Sequence, residues 1–137
     1  MSKITIQNLT ARQGEKINGY INVTNTNIEL PVTLICGKNE GDTVLITAGV
    51  HCAEYVGIET AIELSKEINP KNISGNIIII PLINRSGFEH RTMSIVYEDG
   101  KNLNRVFPGN AEGSVSERIA YFMEKEFYVN SDKRDQG

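Results

Sequence analysis

His51 and Glu54 stand three residues apart where an apolar run gives way to a helical pattern, in "LITAGVHCAEYVGIETAIEL" (residues 45–64). The chain has only two histidines, and neither an imidazole nor a carboxylate is a usual way to close a buried strand. An imidazole nitrogen and a carboxylate oxygen are both zinc donors, and a catalytic zinc keeps a further position open for water. The pair can also be read more simply. Glu54 near a helix N-terminus gains about 0.3–1 kcal/mol from the helix dipole, and His51 can be a satisfied strand-end residue. A second group of interest is Asn104-Arg105, in "DGKNLNRVFPG" (99–109). The guanidinium fork of an arginine binds a carboxylate bidentately, and an asparagine amide offers both a donor and an acceptor. A metal, a carboxylate anchor and an amide together describe hydrolysis of an acyl bond next to a carboxylate. Taken alone, Asn104-Arg105 reads as a solvated surface turn.

The elements that must position these groups are legible in the apolar pattern. Val44, Leu45 and Ile46 are consecutive apolar residues, as in a strand buried on both faces of a parallel sheet. Residues 53–68 change period, with Ile58, Ala61, Ile62, Leu64 and Ile68 forming one apolar side of a helix. Asn69-Pro70 stops it. "GNIIIIPLIN" (75–84) is a second fully apolar run. The pattern predicts strand–helix–strand over 43–84, with the two strands parallel through a right-handed crossover. His51 and Asn84 then leave the same sheet edge, where open α/β sheets gather ligands. The first forty residues read as β, with strands at 16–23 and 29–37 and a turn at 37–41. Residues 84–105 hold no sustained period and are long for a passive connection. Ser114 with Glu117 is a capping box opening a last helix, striped by Val115, Ile119, Phe122 and Met123.

Composition bounds the rest. A chain of 137 residues suits a single α/β domain, and residues 130–137 are expected to fray. The net charge of −3 disfavours nucleic acid, and no apolar run approaches the roughly 18 residues of a membrane span. No apolar segment of a secretory leader opens the sequence. Cys36 and Cys52 do not make a disulfide framework, so a cytoplasmic setting is expected. A cysteine hydrolase pairing Cys52 with His51 is disfavoured, because neighbouring strand residues point to opposite faces.

With these pieces together, the chain resembles the succinylglutamate desuccinylase/aspartoacylase family of zinc hydrolases, relatives of the zinc carboxypeptidases. The likeness rests on "ITAGVHCAEYVGIE", "IIIIPLINRSGFEHR" and "DGKNLNRVFPG", and spans most of residues 28–123. It implies a zinc-carboxypeptidase-like mixed sheet with a parallel core and flanking helices, preceded by N-terminal β-strands. It implies one zinc ion held by His51 and Glu54 with a third ligand, a substrate carboxylate held by Asn104 and Arg105, and Arg91 assisting at the scissile carbonyl. The family commonly has glycine where this chain has Cys52, whose sulfur would lie near the metal. Its third ligand is a histidine in a later D-x-H stretch, followed by a glutamate base, and no histidine follows His90 here. His90 itself is the alternative third ligand. The expectation is therefore an incomplete catalytic domain of a deacylase acting on a small N-acyl amino acid, self-associating or complemented by a C-terminal fragment. The alternatives are a catalytically inactive binding or assembly module of this fold and a carboxypeptidase-like peptidase.

Overall fold

The two unbroken apolar runs lie side by side at the centre of a sheet covered on both faces. The computed structural model describes residues 2–51, 53–128 and 133–136. Strand β5 (Asn39–Thr47) pairs in parallel with β6 (Ser74–Ile80), placing Leu45 opposite Ile78 and Ile46 opposite Ile79. Successive strand residues point to opposite faces, and both faces are used. Leu45, Ile78 and Ile80 join a core with Ile119, Phe122 and Met123 of helix α3 (Val115–Met123). Ile79 joins a second core with Ile58 and Ala61 of helix α1 (Tyr55–Glu67). Two-sided burial is why these strands lack polar alternation. The strand–helix–strand unit expected over 43–84 is present, although β5 starts at Asn39, inside the stretch expected to turn. Its ladder to β6 is irregular between Asn39 and Thr43.

The full sheet is mixed, in the order β3-β4-β6-β5-β7. Strand β3 (Lys16–Asn22) pairs antiparallel with β4 (Glu29–Cys36), and β4 runs antiparallel to β6. A separate hairpin of β1 (Lys3–Ile6) and β2 (Leu9–Arg12) sets Ile4, Ile6 and Leu9 against the larger core. Strand β7 (Lys133–Gln136) adds in parallel to the outer edge of β5, Val44 facing Lys133 and Thr47 facing Gln136. Part of the tail expected to fray is thus strand; 130–132 and 137 lie outside the described residues. No described helix is long and apolar enough to cross a membrane.

The aperiodic stretch after β6 is held by hydrogen bonds to the sheet edge. It contains a short helix, α2 (Arg85–His90), and a 3-10 turn at Leu103–Arg105. Val96 and Leu103 are fully buried and pin it to the core.

Candidate functional site

The turn that carries His51 is built by the ends of β5 and β6. Beyond the ladder, Ile83 N–H donates to the Ala48 carbonyl (3.0 Å) and Asn84 N–H to the Gly49 carbonyl (2.9 Å). Gly49 has φ +72°, and a Cβ there would fall 2.8 Å from Leu82 Cδ1 and 2.9 Å from Leu82 Cα. Glycine is required on both counts. The chain then turns, Glu54 N–H donating to the His51 carbonyl at 3.1 Å. Glu54 caps α1 from just outside it rather than sitting in its first turn. It makes no side-chain capping bond, which leaves the carboxylate for other work.

His51 Nδ1 lies 3.5 Å from Glu54 Oε1, with the side chains 27% and 59% exposed. Two donors each about 2.05 Å from a tetrahedral zinc would be roughly 3.3 Å apart, so the pair fits two vertices of such a site. The other ring nitrogen, His51 Nε2, meets Asn102 Oδ1 at 2.9 Å. The same Asn102 oxygen accepts the Asn104 N–H at 3.0 Å, at the start of the 3-10 turn. His51, Glu54 and the 102–105 turn are therefore brought together, with Asn102 as the joint between them. Asn104 and Arg105 are exposed. Their side chains enter no hydrogen bond or ion pair among the described residues, so the guanidinium and the amide are available to a ligand.

Sequence reasoning passed over Asn102. The signal was its spacing, since an asparagine two residues before another turn residue is the pattern of a side chain bonding the backbone two positions on.

Arg91 occupies the left-handed region at the end of α2 (φ 57°, ψ 42°). It lines an open cavity of about 710 Å³ with Tyr55, Phe88, Glu89 and Met93. Its turn is tied to the His51 turn by the Ala53 N–H, which donates to the Met93 carbonyl at 2.9 Å. His90 is placed otherwise. Its Nδ1 bonds the Ser86 carbonyl at 2.9 Å and its ring stacks on Tyr97, 3.7 Å between centroids. Among the described residues no group of three His, Cys, Asp or Glu side chains could hold a metal, so His90 does not complete the site. The readings on Cys52 lie outside the described residues.

The 99–105 loop is clasped to α3 by charge. Asp99 accepts the Ser116 N–H at 2.7 Å and the Lys101 N–H at 3.0 Å. Burial works to raise the Asp99 carboxyl, but hydrogen bonds from Ser116 and Lys101 outweigh it and hold it below the usual aspartate range. Glu117 accepts the Ser114 N–H (3.0 Å) and hydroxyl (2.9 Å), the expected capping-box partners. Those bonds, with Lys101 at 3.3 Å, hold it below its ordinary value too.

The chain that carries this arrangement has known relatives. Residues 40–132 match the succinylglutamate desuccinylase/aspartoacylase catalytic domain. The chain belongs to that family. It is similar to N-alpha-acetyl-L-2,4-diaminobutyric acid deacetylase of Halomonas elongata, 37% identical over 107 residues, which make 77% of this chain and 30% of the relative. Its fold is similar to a succinylglutamate desuccinylase/aspartoacylase from Rhodobacter sphaeroides, with TM-score 0.82 and 27% identity. That match covers 98% of this chain and 43% of the other. It also resembles an aspartoacylase family protein from Mesorhizobium loti, with TM-score 0.79 and 37% identity over 88% of this chain and 39% of that one. The chain thus spans less than half the length of these relatives. The mixed sheet with its parallel core is the family fold.

Proposed function

We propose that this chain carries the metal- and carboxylate-binding part of a zinc-dependent N-acyl amino acid deacylase. The observation that carries the reading is the meeting of His51 Nδ1 and Glu54 Oε1 at 3.5 Å, with the Asn104-Arg105 turn joined to the far side of the same imidazole. His51 and Glu54 would hold the ion. A zinc bound there supplies Lewis acidity toward a carbonyl and lowers the pKa of water toward about 7.

The chain's own residues do the rest. Arg105 receives the substrate carboxylate in a bidentate bond. Asn104 orients the amide beside it. Arg91, at the rim of the adjoining cavity, supplies positive charge where the scissile carbonyl oxygen becomes more negative. A deacetylase among the relatives supports a small N-acyl amino acid as substrate. Cys36 is a buried free thiol, which fits a reducing, cytoplasmic setting.

Because the described residues supply two metal donors and no third, the proposal for this chain by itself is zinc and carboxylate binding with slow or no turnover. Calorimetric titration with zinc tests the first part: wild type should bind one equivalent, and His51→Ala should bind far more weakly. Equal affinity in both would end the metal reading. Mass-spectrometric assay of N-acetyl and N-succinyl amino acids tests the second. Rapid turnover by the isolated chain would refute that part.

A further inference from the structure

Met93 is an apolar side chain left 66% exposed, on a backbone held at φ 69°. L-residues rarely adopt that left-handed conformation. Among the described residues four non-glycine positions do. Gln7 and Asn25 lie in hairpin turns, between β1 and β2 and between β3 and β4, and Arg91 ends α2. Met93 has neither a hairpin nor a helix end to account for it. Backbone strain of this kind gathers at ligand clamps and active sites.

The strained turn presents Met93 to the open cavity of about 710 Å³ that Tyr55, Phe88 and Arg91 also line. Tyr55 and Phe88 are 61% and 43% exposed and meet edge to face, 5.9 Å between ring centroids. The acid of the cavity, Glu89, is paired with Arg85 at 3.3 Å. The walls are therefore apolar, with Arg91 as the charge at the rim. The His51 ring fixes where this cavity lies. Nε2 faces the 102–105 turn through Asn102, and Nδ1 faces Glu54. Tyr55 follows Glu54 directly, and the Ala53 N–H donates to the Met93 carbonyl at 2.9 Å. The Asn104-Arg105 turn and the cavity thus adjoin opposite sides of the ring. A substrate with its carboxylate on Arg105 and its amide at the ring sends its acyl group into the cavity.

We propose that this cavity is the acyl pocket, and that Tyr55, Phe88 and Met93 select an uncharged, apolar acyl chain longer than acetyl. The inference rests on Arg105 as the carboxylate clamp, and it does not need the metal. Each methylene fully covered is worth about fourfold in affinity. A carboxylate at the end of the acyl chain would lose water against Phe88 and Met93, which disfavours it.

The test is NMR titration of the metal-free, isotope-labelled chain with N-acetylglycine, N-hexanoylglycine and N-succinylglycine, and with the carboxamides of the first two. Glycine has no side chain, so the acids differ in the acyl group alone. Four added methylenes, about half covered in an open cavity, should make N-hexanoylglycine bind on the order of tenfold tighter than N-acetylglycine. N-succinylglycine should gain nothing over acetyl. Nuclear Overhauser contacts should join the hexanoyl methyl to the Tyr55 and Phe88 rings and the Met93 methyl. Phe88→Ala and Met93→Lys should each remove the hexanoyl advantage and leave N-acetylglycine binding unchanged. Equal affinity for the acetyl and hexanoyl acids, both above their carboxamides, overturns the pocket and leaves the clamp standing. Tightest binding by N-succinylglycine, or a hexanoyl advantage that survives in both folded variants, also overturns it. Hexanoyl contacts to the three side chains with carboxamides binding as tightly as acids would sustain the apolar pocket and refute the clamp. Absence of binding by every ligand refutes both.

Discussion

Asn84 and Gly49 are joined across the ends of two parallel strands, the Asn84 N–H donating to the Gly49 carbonyl at 2.9 Å. The Asn84 side chain is fully buried and used at both ends. Its oxygen accepts the Gly87 N–H and its nitrogen donates to the Ile95 carbonyl, each at 3.0 Å. One residue thus fastens the His51 turn, the start of α2 and the loop beyond it. Asn84→Ala leaves the buried Gly87 N–H without a partner, at a cost of about 1–3 kcal/mol, and removes one of two donors from the Ile95 carbonyl, which keeps the Thr92 hydroxyl. Asn84→Asp keeps the acceptor but turns an oxygen toward the Ile95 carbonyl. Both should lower the urea midpoint, Asn84→Ala by an amount equivalent to roughly 1–3 kcal/mol. A change under about 0.5 kcal/mol, ordinary for a surface site, would mean this clasp does not hold the loop.

The candidate site residues stood out in the sequence because their types are unusual for their places. His51 and Glu54 interrupt an apolar run, and Asn104-Arg105 follows a stretch with no core-forming period. The β5–α1–β6 unit was legible because two-faced burial erases polar alternation. Asn84 and Asn102 were not legible as organisers. Each looks like any polar loop residue until the fold supplies the backbone groups it satisfies. Strand β7 was hidden for a different reason. Edge pairing to β5 uses backbone N–H and C=O groups, so the polar "NSDKRDQG" carries no apolar trace of it. The helical period was read from residue 53, whereas α1 starts at Tyr55, an ordinary uncertainty of helix ends.

Acid should loosen the 99–105 loop before it unfolds the sheet. The Asp99 carboxyl is held below its ordinary value in the folded chain, whereas in the unfolded chain it returns to about 3.9. The folded state therefore binds the proton less readily. The stabilisation is complete above the unfolded value and is lost as pH falls through the lower folded one. Asp99→Asn should cost about 1–2 kcal/mol at pH 7, since charged hydrogen bonds at a partly exposed site are screened. Urea midpoints of wild type and variant should converge below about pH 4. A gap that stays constant down to pH 3 would show that the charge of Asp99 contributes nothing.

If Arg105 grips the substrate carboxylate with its planar fork, charge alone will not replace it. Arg105→Lys keeps the charge but offers a compact ammonium. Loss of one charge-assisted hydrogen bond, about 1.5–3 kcal/mol, corresponds to a rise in Kd of roughly tenfold or more. The measurement is titration of the zinc-loaded protein with an N-acetylated amino acid, beside its carboxamide analogue. The carboxamide should bind both proteins alike. An equal loss for acid and amide would show that Arg105 acts on some other part of the molecule.

Arg91 lets stability be weighed against the proposed binding role. An arginine at φ 57° holds a backbone conformation that costs an L-residue about 1–2 kcal/mol, and glycine is the usual residue where a helix ends this way. No hydrogen bond or ion pair among the described residues engages the Arg91 side chain, so its removal forfeits little packing. Arg91→Gly should therefore raise the urea midpoint, by an amount equivalent to about 0.5–1 kcal/mol once the greater freedom of glycine in the unfolded chain is included. If Arg91 serves the scissile carbonyl, the same substitution should weaken binding of an N-acyl amino acid to the zinc-loaded protein. A residue kept for function at the expense of the fold moves the two measurements in opposite directions. Unchanged binding beside a raised midpoint would remove Arg91 from the site and leave its conformation a cost without a return.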